Sequence, residues 1–369
     1  MEFVVGFLLG CEEEDQLMVF YKKNSKKEKV FLDIINYFFN VPGLILFNII
    51  AIFTFTEIFN IMLAAKRNGT EITTFTLLGL SSDPQPFLFA IFLLIYVCTV
   101  VGNTVIILTV TFESRLHSPM YIFLRSLSLT EISYISVTVP RMLRDFLHKD
   151  KDISLLGCAT QLYFFCFLGT TECFILAVMA YDRYVAICNP LHYMIIITKP
   201  KCLKLSLGSW LAGMLLSLGQ ISFVFSLPFC DSNIIDHFFC DILPVVRLAC
   251  ADKSANMITI LIYSSFVIQL PFLLILVSYI HIVATVFRIP TAHGRNKAFS
   301  TCGSHLISVC LFYGTATITY LRTNGSHKSS KMWSLLYIVL IPMLNPLIYS
   351  FRNTEFKTAL KRLIKKGKC

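Results

Sequence analysis

Apolar residues along this chain come in long blocks rather than in the short alternation of strands. After residue 86 seven blocks stand out, at about residues 87–112, 120–143, 157–180, 202–227, 255–286, 298–321 and 332–351. Each is long enough to cross about 30 Å of hydrocarbon as an α-helix. The pattern therefore predicts an all-α membrane protein, a seven-helix transmembrane bundle. A β-barrel does not fit, because barrel strands are shorter and alternate strictly. After the last block, Phe356, Leu360 and Ile364 recur every four positions. That spacing predicts a short amphipathic helix lying on the inner leaflet.

The polar connections orient the bundle. One set holds Arg115, then Arg183, Lys199, Lys201 and Lys204, then Arg288, Arg295 and Lys297, then Lys357, Lys361, Arg362, Lys365, Lys366 and Lys368. In the opposite set, Arg144, Lys149, Lys151, Arg247, Lys253, Arg322, Lys328 and Lys331 are diluted by aspartates. The undiluted set is expected in the cytoplasm. This puts residues 66–86 outside, residues 87–351 in the bundle, and residues 352–369 in a cytoplasmic tail. Asn68-Gly69-Thr70 is then an outer glycosylation sequon, and Asn324-Gly325-Ser326 a second one close to the bilayer.

Residues 1–65 do not fit this plan. They carry an acidic patch (Glu12, Glu13, Glu14, Asp15), a lysine cluster (Lys22, Lys23, Lys26, Lys27, Lys29) and an apolar run at 41–65 broken by Asn48, Glu57 and Asn60. The run reads either as an eighth span or signal-anchor, or as upstream sequence with Met62 as the working start. The second reading is preferred, because it leaves a short outer terminus bearing the Asn68 sequon.

Composition agrees with lipid as the solvent. Of 369 residues, 56% are hydrophobic and 15% charged, against about a quarter charged in soluble domains. The net charge of +10 sits in short tracts facing anionic lipid, with no compact basic domain to grip nucleic acid. There is no His-Glu-x-x-His, no phosphate loop and no nucleophile with an evident base, so neither an enzyme nor a cofactor is expected. A multi-span transporter remains the alternative. It would require repeats and an acid path across the bilayer, whereas the intramembrane acids here cluster in the inner half.

Those acids are Glu131 and Glu172, with Asn345 and Asn103 nearby. Intramembrane ionisable groups are costly and count as functional candidates. Two readings stand: a sodium site, or a hydrogen-bonded packing network with one or both acids protonated. Of 13 cysteines, four flank or occupy polar stretches: Cys158, Cys230, Cys240 and Cys250. An oxidising compartment would pair them, and four cysteines allow three pairings. His237 and Asp241 beside Cys240 suggest metal ligation, but disulfide use of Cys240 competes with it, so no metal is expected.

The third block ends Met179-Ala-Tyr-Asp-Arg-Tyr-Val-Ala-Ile-Cys188. Gly102-Asn103, Pro119-Met-Tyr121, Lys297-Ala-Phe-Ser-Thr-Cys302 and Pro342-Met-Leu-Asn-Pro-Leu-Ile-Tyr349 follow the same family order, as does the outer loop Phe229-Cys-Asp-Ser-Asn with His237-Phe-Phe-Cys240-Asp241. Over residues 68–364 the chain resembles the olfactory receptors, a branch of the rhodopsin-like G-protein-coupled receptors. The resemblance implies a plasma-membrane receptor that binds a small odorant and activates a stimulatory heterotrimeric G protein, raising cyclic AMP. It implies that Arg183 engages the G protein while Asp182 restrains it at rest. Tyr184 completes that string, and Tyr279 and Tyr349 swing inward beside it. Asn345 and Pro346 belong to the same activation machinery. It also implies the disulfides Cys158–Cys240 and Cys230–Cys250. Related receptors usually carry aspartate at the position of Glu131, which departs from sodium-site geometry.

A ligand cavity is then expected beneath the outer loop, a loop that reads as poor in apolar anchors. Helical spacing places Cys166, Gly169, Thr170 and Cys173 on one face of the third helix. The fifth helix offers Tyr263, Ser264 and Val267, and the sixth Tyr313, Ala316, Thr317 and Tyr320. Small residues also serve close helix packing. As a set, these describe a mostly apolar cavity with a few hydroxyls, suited to a small volatile molecule and lacking an acid for amines.

Overall fold

The computed structural model describes residues 73–80, 84–229, 232–250, 253–321, 327–352 and 354–367. The leader 1–65, both sequons and Cys230 lie outside them, as do the side chains of Lys297 and Tyr320. One compact unit is formed by residues 58–359. The bundle lies within it.

Seven long helical units make it. They are α1 (Pro86–Phe112), α2 (Pro119–Leu147), α3 (Leu155–Cys188), α5 (Lys199–Ser226), α7 (Lys253–Phe287), α8 (Ala292–Leu321) and a composite of α9 (His327–Leu335), a π-helical turn (Leu336–Leu340) and α10 (Ile341–Arg352). Two short helices lie between them, α4 (Tyr193–Ile196) and α6 (Ile242–Val246), and α11 (Thr354–Gly367) follows. Proline opens α1 and α2, where its missing N–H costs nothing. Ser154 caps α3 by accepting from the Gly157 amide.

Among the described residues, six of these units are long and apolar enough to cross a membrane; the remaining one, α8, is the richest in polar residues. Four of its polar residues, Ser304, His305, Ser308 and Thr319, are buried in the bundle. α3 is the axis, with 83% of its most apolar window buried, against 17% for α1 and 22% for α7. The outer faces of α1 and α7 leave Phe87, Leu94, Ile262 and Phe266 exposed, an apolar surface that lipid would cover. Serine and threonine hydroxyls within the helices bond back to carbonyls one turn earlier, as Thr109, Thr130, Ser209 and Ser278 do. Such bonds hide hydroxyls that lipid cannot solvate.

A small sheet beside the start of α3 has the order β2-β1-β3. β1 (Thr74–Leu77) pairs antiparallel with β2 (Asp152–Ser154) and parallel with β3 (Ile234–Ile235). Its Phe75 and Leu77 are buried, and Phe75 meets Phe229 edge-on at 5.6 Å. The outer loop is thus better anchored than its sequence reads. Phe229, Ile235, Phe238, Phe239, Ile242, Val245 and Val246 are all buried.

Candidate functional site

The site begins with the lid. Cys158 at the start of α3 is joined to Cys240, and the Cys240 amide donates to Gln161 Oε1 at 3.1 Å. Cys250 is also disulfide-bonded. Phe239 packs on Phe165 of α3 at 4.8 Å. Lys331, in the seventh unit, bonds Asp236 at 2.6 Å and the Gly79 carbonyl at 3.2 Å, tying the outer end of the bundle to the loop and to the segment after β1.

Below the lid lies a cavity of about 60 Å³. Seven of the residues expected at it line it: Cys166, Gly169, Thr170, Cys173, Ser264, Val267 and Ala316. Three do not form this wall. The Tyr263 hydroxyl donates instead to the Leu216 carbonyl of α5. Tyr313 donates to the Cys173 carbonyl at 3.0 Å and packs on Phe272. Thr317 faces outward, and the Tyr320 side chain lies outside the described residues. The wall is completed by residues that the helical count did not single out: Phe165, Gln220, Ile242, Ile268, Phe312 and Tyr337. Tyr337 comes from the π-turn, a local widening that is often found at functional positions. Among the described residues, no Asp, Glu, Lys, Arg or His lines the cavity.

Farther in is a polar cluster. Asn345 donates its amide to Glu131, and Asn103 donates to the carbonyls of Thr99 and Pro342, both at 3.1 Å. Glu131 Oε2, Glu172 Oε1, Asn103 Oδ1 and Asn345 Oδ1 are buried without a hydrogen-bond partner among the described residues. Gly102 lets α1 approach Pro346, whose Cβ would stand 3.3 Å from a side chain added there. Among the described residues no group of three His, Cys, Asp or Glu could hold a metal ion.

At the end of α3 away from Cys158, Arg183 Nε lies 3.8 Å from Asp182 Oδ2, both side chains being nearly enclosed. Tyr193 of α4 donates to Asp182 Oδ1 at 2.8 Å. Burial, with the Asp182 carboxylate behind it, pushes the Tyr193 phenol up, so the hydroxyl keeps the proton that it donates. Tyr184 faces His281 of α7 at 5.7 Å. Tyr349 is buried in α10.

His305 of α8, which no motif marked, joins three helices. Its Nε2 lies 3.1 Å from the Leu176 carbonyl and its Nδ1 2.8 Å from the Tyr279 hydroxyl. A carbonyl only accepts, so Nε2 carries a proton; in a neutral ring Nδ1 then accepts from Tyr279.

The comparisons with known proteins follow the same span. A sequence profile described as olfactory receptor matches residues 92–367. Human olfactory receptor 10C1 is 51% identical over 305 residues, which is 82% of this chain and 98% of that protein. Human olfactory receptor 10A7 is 50% identical over 302 residues, 81% of this chain and 96% of its own. Mouse olfactory receptor 5AR1 is 47% identical over 305 residues, 82% and 98%. With a helix bundle of the expected count, a lidded apolar cavity and an Asp182–Arg183 rim, the chain belongs to the olfactory receptor family.

Proposed function

We propose that the chain binds a small, mostly apolar odorant in the cavity beneath the Cys158–Cys240 lid and relays its arrival to a heterotrimeric G protein of the stimulatory type. It does so in the plasma membrane, with residues 66–86 and the glycan acceptor Asn68 outside and the tail from 352 inside. One observation carries the reading: α3 serves both ends. It lines the cavity with Cys166, Gly169, Thr170 and Cys173 and ends in Asp182–Arg183, some ten residues or about 15 Å along the helix from Cys173. Between the two, His305 and Tyr279 tie α3 to α7 and α8. A ligand that moves α8 against α3 strains this tie and then the rim ion pair, a bistable element of the kind that switches use. The polar cluster around Glu131 and Glu172 serves as the packing network that the helices share while they move.

A cavity of about 60 Å³ is smaller than the roughly 150 Å³ that holds benzene in an engineered core. Odorant entry therefore displaces wall side chains, which couples binding to helix movement. The second reading, a transporter, lacks an acid path through the cavity wall and has no use for the rim pair. Screening small neutral odorants on cells that display the full chain and report cyclic AMP tests the proposal. A concentration-dependent rise absent from untransfected cells is expected. Ligand accumulation in the cell without cyclic AMP supports the transporter instead.

A further inference from the structure

Two side chains in the cavity wall, one from α5 and one from α7, are bonded to each other. Gln220 Nε2 donates to Ser264 Oγ at 3.3 Å. Gln220 is buried, both residues line the cavity, and among the described residues neither side chain makes another hydrogen bond. Around them the wall is apolar or weakly polar, with Thr170 adding one hydroxyl from α3.

The capacities of the two groups decide what they can bind. An amide has one acceptor oxygen and two donor hydrogens; a hydroxyl has one hydrogen and two lone pairs. With the amide turned as found, the Ser264 hydrogen and Gln220 Oε1 remain unused. With the amide turned about, the serine donates to the amide oxygen, and the NH₂ group and a serine lone pair remain. Which way an amide turns follows from its partners. In both settings the pair presents a spare donor and a spare acceptor side by side.

Resting on the receptor reading above, we propose that Gln220 and Ser264 together read a ligand hydroxyl, so that the preferred odorants are small alcohols. A hydroxyl both gives and takes a hydrogen bond at one atom. Ethers and carbonyls only accept, and hydrocarbons do neither, so each leaves a buried polar atom of the pair unmatched, which is costly. Carboxylic acids and amines answer both needs only when uncharged. At neutral pH they carry a charge, and among the described residues the wall holds no counter-charge.

The probes are 1-pentanol, methyl butyl ether and hexane, matched in heavy atoms. Binding is read by thermal stabilisation of the purified full chain, and signalling by cyclic AMP in cells. The alcohol should act at concentrations about ten- to a hundredfold below those of the other two, the worth of one or two hydrogen bonds. Gln220→Leu and Ser264→Ala, each checked for surface display, should shrink that advantage to within about threefold while hexane binds as well or better. An unchanged alcohol preference in both variants overturns the inference. So does a wild-type chain that signals to odorants with no preference for the hydroxyl, a result that leaves the receptor reading intact. Alcohol-selective stabilisation without cyclic AMP upholds the inference and counts against the signalling reading.

Discussion

His237 sits in the outer lid with its ring 4.5 Å from Phe238 and 4.6 Å from Phe239. Neither of its nitrogens has a hydrogen-bond partner among the described residues. Burial pushes its pKa down from 6.5 to about 3; the Lys331 ammonium acts in the same direction and the Asp236 carboxylate opposes it. The folded lid therefore keeps His237 neutral, while an opened lid protonates it below about 6.5. Between pH 6.5 and 3 the opened state binds the extra proton, so stability falls as pH falls, by up to about 1.4 kcal/mol per unit. Above 6.5 this contribution has no slope. His237→Phe keeps the ring packing and removes the proton site. Thermal midpoints of the full chain between pH 7 and 4.5 should fall less steeply in the variant; parallel curves would contradict the account. Other residues differ in how plainly the sequence marks them. The rim residues Asp182 and Arg183 stand in a ten-residue string and are legible from it. His305 lies three residues beyond the Lys297–Cys302 motif, and Gln220 is a lone polar residue in an apolar block. What makes each matter is a partner far along the chain, Leu176 and Ser264, which spacing on one helix cannot reveal. Thr317 errs in the opposite way: α8 has polar residues all round, so helical spacing does not settle which of them faces the cavity.

At the scale of elements, the crossing of α3 and α5 is a close backbone approach at Gly213. A Cβ on Gly213 would meet the Thr171 hydroxyl and would stand 2.9 Å from the Phe167 carbonyl oxygen and 3.0 Å from the Thr171 amide nitrogen. Backbone atoms of a packed helix cannot step aside as a flexible side chain can, so the helices must part. Overpacking of this kind typically costs about 1–3 kcal/mol. Gly208 lies on the same helix with nothing within 4 Å of an added Cβ. Gly213→Ala should therefore lower the thermal midpoint of the full chain in detergent and its yield at the cell surface, whereas Gly208→Ala should change neither. Equal behaviour of the two variants would count against close helix approach as the reason for the glycine and favour helix propensity alone. Seven long blocks are legible as helices because lipid demands length and apolarity together. The outer sheet is not, since two- to four-residue strands pair through backbone groups that carry no pattern. The π-turn at Leu336–Leu340 is hidden for the same reason: it widens the helix without changing its apolar content. The lid's anchors look too few in the sequence because its phenylalanines are scattered among polar residues and meet only once Cys158 and Cys240 hold the loop against α3.

For the whole molecule, the described bundle joins a lidded cavity to the Asp182–Arg183 rim through one enclosed helix. The relatives align over about four-fifths of the chain, and the profile begins at residue 92, so the parts that do this work lie inside the family span. The central claim is that a ligand in the cavity acts through Arg183 on a G protein. Guanine-nucleotide exchange on a purified stimulatory G protein tests it most directly, with the full chain in membranes, an odorant found by the cyclic-AMP screen, and Arg183→Ala beside the wild type. The account predicts that odorant speeds exchange at least tenfold on the wild-type chain, and that Arg183→Ala binds the odorant with unchanged affinity but gives no acceleration. Odorant-driven exchange of equal rate in the Arg183→Ala chain would contradict it.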